Sequence, residues 1–250
     1  MRLTVIMPLY NRENHVEVAL HSLLRQREEC DLDVLVVNDG STDSSLQRVQ
    51  RLAEEFGHIR VVTTANQGVT RARNTGLKNV RDDTDLVSFL DSDDISPANR
   101  IRDDLQPFRE DSELHFTYGR ITLVDALDDE RFVPAPNARQ ATVRGISLGA
   151  GIYRAEFLRE LGMFDESFEQ SEDTDYLFRA FERKSNYRLT DTICVYYRRH
   201  PGNMTRQRDV AMRSFIRAVH KSLARRRHDP SLGKPDGVFD MKELLQTSMD

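Results

Sequence analysis

Short apolar runs alternate with apolar stripes at helical spacing along the N-terminal part of the chain. Leu3 to Met7 is a strand-like run halted by Pro8. Tyr10-Asn11-Arg12-Glu13-Asn14 offers capping residues, and Val16, Ala19, Leu20, Leu23 and Leu24 then recur on one helical face. Leu32 to Val37 reads as a second strand. Asn38-Asp39-Gly40-Ser41-Thr42-Asp43 turns it into a helix, with Ser41 or Thr42 as the expected N-cap. That helix carries Leu46, Val49, Leu52, Ala53 and Phe56. Ile59 to Thr63 reads as a third strand, Thr70 to Leu77 as a short helix and Leu86 to Leu90 as a fourth strand.

This rhythm predicts βαβ units and a mostly parallel sheet. Each strand ends in polar residues: Tyr10-Asn11, Asp39, Asn66 and Asp91-Ser92-Asp93. In a parallel sheet such ends share one edge, where open α/β sheets bind ligands, so a nucleotide crevice is expected there.

The pattern is less regular further on. His115 to Val124 reads as a longer strand and Asp125 to Arg139 as a loop or exposed hairpin. Gly145, Gly149 and Gly151 suggest close backbone approach. Arg154 to Leu161 reads as a helix ended by Gly162, and Glu172-Asp173-Thr174-Asp175 opens another. Tyr187 to Arg198 is a strand. Val210 to His228 is a helix with apolar Met212, Phe215, Ile216, Val219 and Leu223, and a second face of Arg213, Arg217, Lys221 and Arg225-Arg226-Arg227. Packing of its apolar stripe on its own domain is the favoured reading. The alternative is a basic amphipathic helix lying on an anionic membrane surface.

Composition narrows the function classes. A net charge of −5 gives no general attraction to nucleic acid. Cys30 and Cys194 cannot make a disulfide framework or a zinc site and suggest a reducing compartment. The first apolar run is too short for a signal peptide, and no run reaches spanning length. The expected location is cytoplasmic, with any membrane contact peripheral, at the inner face.

The densest chemistry is Asp91-Ser92-Asp93-Asp94. Three carboxylates in four residues repel one another unless something positive sits among them, and a divalent cation carrying phosphate would serve. A lone Asp-x-Asp also reads as a solvated turn, so the surrounding motifs decide.

Six segments in order resemble the family 2 glycosyltransferases of GT-A fold. They are Val5 to Asn11, Val37 to Asp43, Asn66-Gln67-Gly68 with Ala72 to Gly76, Leu90 to Asp94, Gly162 to Glu166 with Glu172 to Asp175, and Tyr197 to Asn203. The resemblance covers residues 1–205 and implies an α/β, Rossmann-like, mostly parallel central sheet flanked by helices. Residues 1–95 would form a nucleotide-binding half and residues 96–205 an acceptor-binding half. Residues 206–250 would be a C-terminal basic helix and tail. The implied reaction is inverting sugar transfer from a nucleotide-sugar, usually UDP-linked, to a glycan, glycolipid or protein hydroxyl.

The roles carried over by resemblance can be checked against chemistry. Pro8, Tyr10 and Asp39 would hold the base, with Asn11 also in the nucleotide-sugar site; a carboxylate suits the uracil N–H and a tyrosine ring suits stacking. Gly68, Arg71, Arg73 and Asn74 would contact the nucleotide, with Asp91 and Ser92. Asp91, Asp93 and His200 would hold Mn²⁺ or Mg²⁺, with Asp94 competing for the role of Asp93. Asp173 would be the general base and Glu172 would position it or the acceptor. Polymer-making relatives usually carry a Gln-x-x-Arg-Trp motif and membrane helices. This chain has no tryptophan and no such spans, which favours single-residue transfer. The rival readings are a nucleotidyltransferase, for which Pro8-Leu9-Tyr10-Asn11 is the wrong phosphate loop, and a non-catalytic sugar-nucleotide-binding protein, against which the intact acids count.

Overall fold

The structure is a computed structural model, and it describes residues 1–200 and 208–239. The N-terminal half follows the predicted rhythm. β1 (Arg2–Leu9), α1 (Val16–Leu24), β2 (Asp31–Asp39), α2 (Ser45–Phe56), β3 (Ile59–Thr64), α3 (Val69–Lys78) and β4 (Leu86–Phe89) follow in order. β1 pairs in parallel with β2 and β4, and β2 with β3. The strands β1, β2 and β4 are buried almost throughout, as expected of a sheet covered on both faces. α3 lies very close to β1: a Cβ on Gly76 would stand 2.4 Å from Ile6 Cγ2, so only glycine lets the helix sit there.

Then come α4 (Arg100–Glu110), β5 (Phe116–Val124), β6 (Leu127–Asp128), β7 (Val133–Pro134), β8 (Gln140–Val143) and β9 (Gly151–Arg154). They are followed by α5 (Ala155–Leu161), α6 (Glu172–Glu182), β10 (Tyr187–Arg198) and α7 (Arg208–His228). The main sheet runs in the order β10-β5-β9-β4-β1-β2-β3, with β8 on β5. β10 is parallel to β5, whereas β9 runs antiparallel between β4 and β5. β6 and β7 form the expected hairpin within the charged Asp125 to Arg139 stretch. The expected mostly parallel, helix-flanked α/β sheet is therefore present, and it passes unbroken from one half of the chain to the other.

Two local expectations need correction, and the stretch between Asp94 and His115, given no element above, carries α4. Its buried face mixes Ile101, Leu105 and Phe108 with Arg100 and Asp104, a fully buried ion pair, and it contains Pro107. β9 falls in the glycine-rich stretch read only as a close approach; four residues are too few to show a period. The start of α2 is capped differently. Ser44 holds the N-cap position and Asp43 Oδ1 accepts from Ser45 N at 2.9 Å. Ser41 and Thr42 instead bond Asn11, which ties the loop after β1 to the loop after β2.

α7 also mounts differently from the expectation. Ala218 and Ser222 are its fully buried positions, with Phe215 and Val219 partly buried beside them. Lys221 and Arg225, read as members of an outer basic face, turn toward α6 and its preceding loop. Lys221 pairs with Asp165, and Arg225 with Asp175 and Glu182. Met212, Ile216 and Leu223 face outward. The expected C-terminal tail includes residues 240–250, which lie outside the described residues.

Candidate active site

The strand ends meet as predicted, and backbone economy explains part of the meeting. Asp39, the last residue of β2, is buried. Its Oδ1 accepts from Gln67 N at 2.9 Å and its Oδ2 from Gly68 N at 2.8 Å. Gly68 sits at the N-cap of α3 with φ +90°, a conformation open to glycine. Asp39 therefore fastens the turn into α3. A carboxylate oxygen has lone pairs to spare for a further N–H donor. Pro8 is buried inside β1, and Tyr10 is exposed beside it. Asn11 adopts φ +49° and bonds across to Ser41 and Thr42.

α3 carries the three residues expected at the nucleotide, and their partners differ. Arg73 is buried. It donates to Asp91 Oδ1 at 2.8 Å and also to Glu172. Its Nε is buried without a partner among the described residues. Asn74 instead holds the loop before α6, donating to Phe164 O and Glu166 Oε1 and accepting from Phe164 N. Arg71 reaches Glu166 from the surface, 3.1 Å away.

The acidic loop after β4 has positive company from the protein itself. Asp91 faces Arg73. Asp93 Oδ2 accepts from Arg12 Nε at 2.9 Å and lies 3.0 Å from His200 Nε2. Asp94 Oδ1 accepts the backbone N–H of Arg198 at 2.9 Å, while the Arg198 side chain bonds Asp93 O and Asp129. Ser92 is buried between the acids. Burial raises the Asp93 carboxyl, but Arg12 and His200 outweigh it and hold the group below the usual range. Asp94 goes the other way: burial, then Asp93 and Asp91, push it well up. The mutual repulsion that pointed to a metal is thus relieved in part by arginines and an imidazole.

Arg12 and Arg198 are the site residues that sequence reasoning missed. The signal was present as a charge requirement, since crowded acids need cations. Nothing in the sequence said which of the many arginines would arrive. Arg12 and His200 also line a cleft of about 310 Å³ with Asn11, His15 and Asp43. The His15 ring stands 5.5 Å from that of His200.

Glu172 and Asp173 open α6, after Ser171 at φ +61°. Their N-terminal position suits carboxylates. Asp173 Oδ1 accepts from Thr174 N at 2.6 Å and Thr174 Oγ1 at 3.2 Å. Burial raises its pKa against the pull of Arg73 and the Thr174 N–H. Burial likewise pushes the Glu172 carboxyl up to about 7, Arg73 pulling it back and Asp173 adding to the rise. Arg73 therefore joins the acidic loop to the catalytic candidates. Asp175 turns away from Asp173 toward Arg179 and Arg225, as helical spacing requires.

The donor set suits a divalent ion brought by a diphosphate. Asp93 and His200 present a hard oxygen and an imidazole nitrogen to one place. Among the described residues no three acids, histidines or cysteines close into a cage. A set of one or two protein ligands is usual where substrate phosphates complete the sphere. The Pro201-Gly202-Asn203 part of the last motif lies outside the described residues. No helix of the described residues is long and apolar enough to cross a membrane.

Comparison with known proteins finds glycosyltransferases. EpsJ of Bacillus subtilis, an uncharacterised glycosyltransferase, is 28% identical over 221 residues, covering 81% of this chain and 62% of that protein. GgaA of the same organism, a minor teichoic acid biosynthesis protein, is 26% identical over 210 residues, 78% of this chain and 47% of GgaA. The chain thus spans less than two thirds of each of these relatives. Among solved structures, Staphylococcus aureus TarS (residues 1–349) in complex with UDP-GlcNAc superposes with a TM-score of 0.71 at 23% identity, over 89% of this chain and 65% of that one. The mannosyltransferase PcManGT of Pyrobaculum calidifontis, in complex with GDP-Man and Mn²⁺, gives 0.67 at 18%, over 89% and 64%. These two likenesses speak for the fold. The sequence model of glycosyl transferase family 2 matches residues 4–143, more than half of the chain, and the chain belongs to that family.

Proposed function

We propose that the chain is a metal-dependent, inverting glycosyltransferase that moves one sugar from a UDP-linked donor to an acceptor hydroxyl. The observation that carries this reading is the Arg73 bridge, which links Asp91 of the acidic loop to Glu172, beside Asp173. It ties a diphosphate-type seat to a partly buried base candidate. TarS binds UDP-GlcNAc, which favours the uridine donor. The name of GgaA favours an acceptor in cell-envelope glycan synthesis, whether glycan, glycolipid or glycoconjugate. Residues 1–95 would serve the donor and residues 96–205 the acceptor.

In this mechanism Asp39 accepts the uracil N–H, Tyr10 stacks on the base and Arg73 faces the diphosphate. Bound Mn²⁺ or Mg²⁺ at Asp93 and His200, with Asp91 nearby, would neutralise the charge on the departing diphosphate. Asp173 takes the acceptor hydroxyl proton as that oxygen bonds the anomeric carbon. The bond from that carbon to the phosphate oxygen breaks on the opposite face, and its electron pair leaves with UDP. One carboxylate suffices, unlike the paired carboxyls of glycosidases. Burial keeps the Asp173 pKa raised, which improves it as a base.

The test is Asp173→Asn. Transfer should fall by about 10³-fold while UDP binding, measured by calorimetry, is retained. Transfer at the wild-type rate would remove Asp173 from the role.

A further inference from the structure

The outer face of α7 combines two properties that a domain-packing helix does not need together. Met212, Ile216 and Leu223 are 59%, 47% and 39% exposed. They recur at steps of four and seven, so they form one ridge along the helix. The inward side is occupied by Ala218 and Ser222 and by Lys221 and Arg225 on their carboxylates. The ridge is therefore not a core face left partly open.

The charge around the ridge is predominantly positive, with Asp209 as its one acid. Residues 208–228 contain seven Arg or Lys and one acid, Asp209, in a chain of net charge −5. Arg213, Arg217, His220 and Arg227 are exposed on or beside the ridge. Among the described residues Arg217 bonds Ser167 O and Oγ and lies over the Phe168 ring, with no acid paired to it. The inward cations are the ones neutralised by Asp165, Asp175 and Glu182.

The geometry points to α7 as a docking surface for an anionic lipid bilayer. The helix lies along the surface with Met212, Ile216 and Leu223 set into the headgroup boundary and Arg213 and Arg227 on lipid phosphates. A narrow apolar ridge with basic flanks is the chemistry of an interfacial helix, and each cation near an anionic leaflet adds to the attraction. A second copy of this chain fits less well, because its α7 would bring the same positive flanks against these. Docking does not depend on the sugar-transfer reading, and it is measured without substrate.

The experiment is vesicle co-sedimentation of the full chain. Vesicles of phosphatidylcholine are compared with vesicles containing about 30 mol% phosphatidylglycerol. Binding should rise about tenfold on the anionic vesicles and fall again in about 0.5 M salt. Ile216→Asp with Leu223→Asp should abolish it, and Arg213→Glu with Arg227→Glu should weaken it at least as much as salt does. These positions are exposed, so unchanged melting of the variants will show that they fold. Equal binding to both vesicles, or anionic binding that survives the variants, overturns the proposal. So does a dimer in light scattering that Ile216→Asp dissolves, which would make the occupant a second copy.

Discussion

Glu172 and Asp173 are neighbours in one helical turn, yet their surroundings differ. Glu172 lies on the buried guanidinium of Arg73, whereas Asp173 keeps its bonds within the turn. Because burial raises Glu172 from 4.5 to about 7, the folded protein holds a proton there that the unfolded chain has already released. Stability should therefore fall as pH rises through that window. Urea midpoints at about pH 5 and about pH 8 will show it, and Glu172→Gln should remove that part of the dependence. Identical pH profiles for both proteins would mean that Arg73 keeps Glu172 ionised throughout. Asp39, Asp91 and Asp93 were legible as candidates because they stand where strands end, whereas Glu172 and Asp173 were candidates through the family resemblance. Arg12 and Arg198 were not, since an arginine is long and the fold chooses its partner. The partner of Asn74 was hidden for the same reason: its amide bonds the loop backbone at Phe164.

At the scale of elements, the βαβ rhythm was readable because each strand and helix of the N-terminal half has a clear period. α4 escaped because it buries Arg100 and Asp104 where a pattern seeks apolar residues. The α6–α7 pairing could not have been read either. Lys221 and Arg225 look like solvent-facing residues until Asp165, Asp175 and Glu182 are placed opposite them. Asp175 and Glu182 are buried; Arg225 pairs with both, and Arg179 shares Asp175. Arg225→Ala should cost about 2–3 kcal/mol in urea unfolding, toward the low end for such pairs because Arg225 itself reaches solvent. Leu223→Ser, on the outer side of the same helix, should change the midpoint very little. Equal losses for the two would place the α7 anchorage in apolar packing.

For the molecule as a whole, the proposed donor site draws on the loops after β1, β2 and β4, with α6 and the end of β10, so ligand binding becomes a test of global stability. UDP with Mn²⁺ should raise the melting temperature, by the equivalent of about 2.7 kcal/mol at a hundred times the dissociation constant. Asp93→Ala should lose the metal-dependent part of that rise. An undiminished rise would take Asp93 out of the metal site. The sheet order also has a meaning in time. β4 pairs with β1 early in the chain, but its other edge waits for β9, and β5 and β10 join beyond that. During synthesis Leu86–Phe89 stays an open, apolar strand edge until Gly151–Arg154 emerges. At about 5–20 residues per second the delay is several seconds. In that interval the nascent chain carries β1 to β4 without α6. Its unpaired edge is then the place where a chaperone, or a neighbouring nascent chain, can engage it.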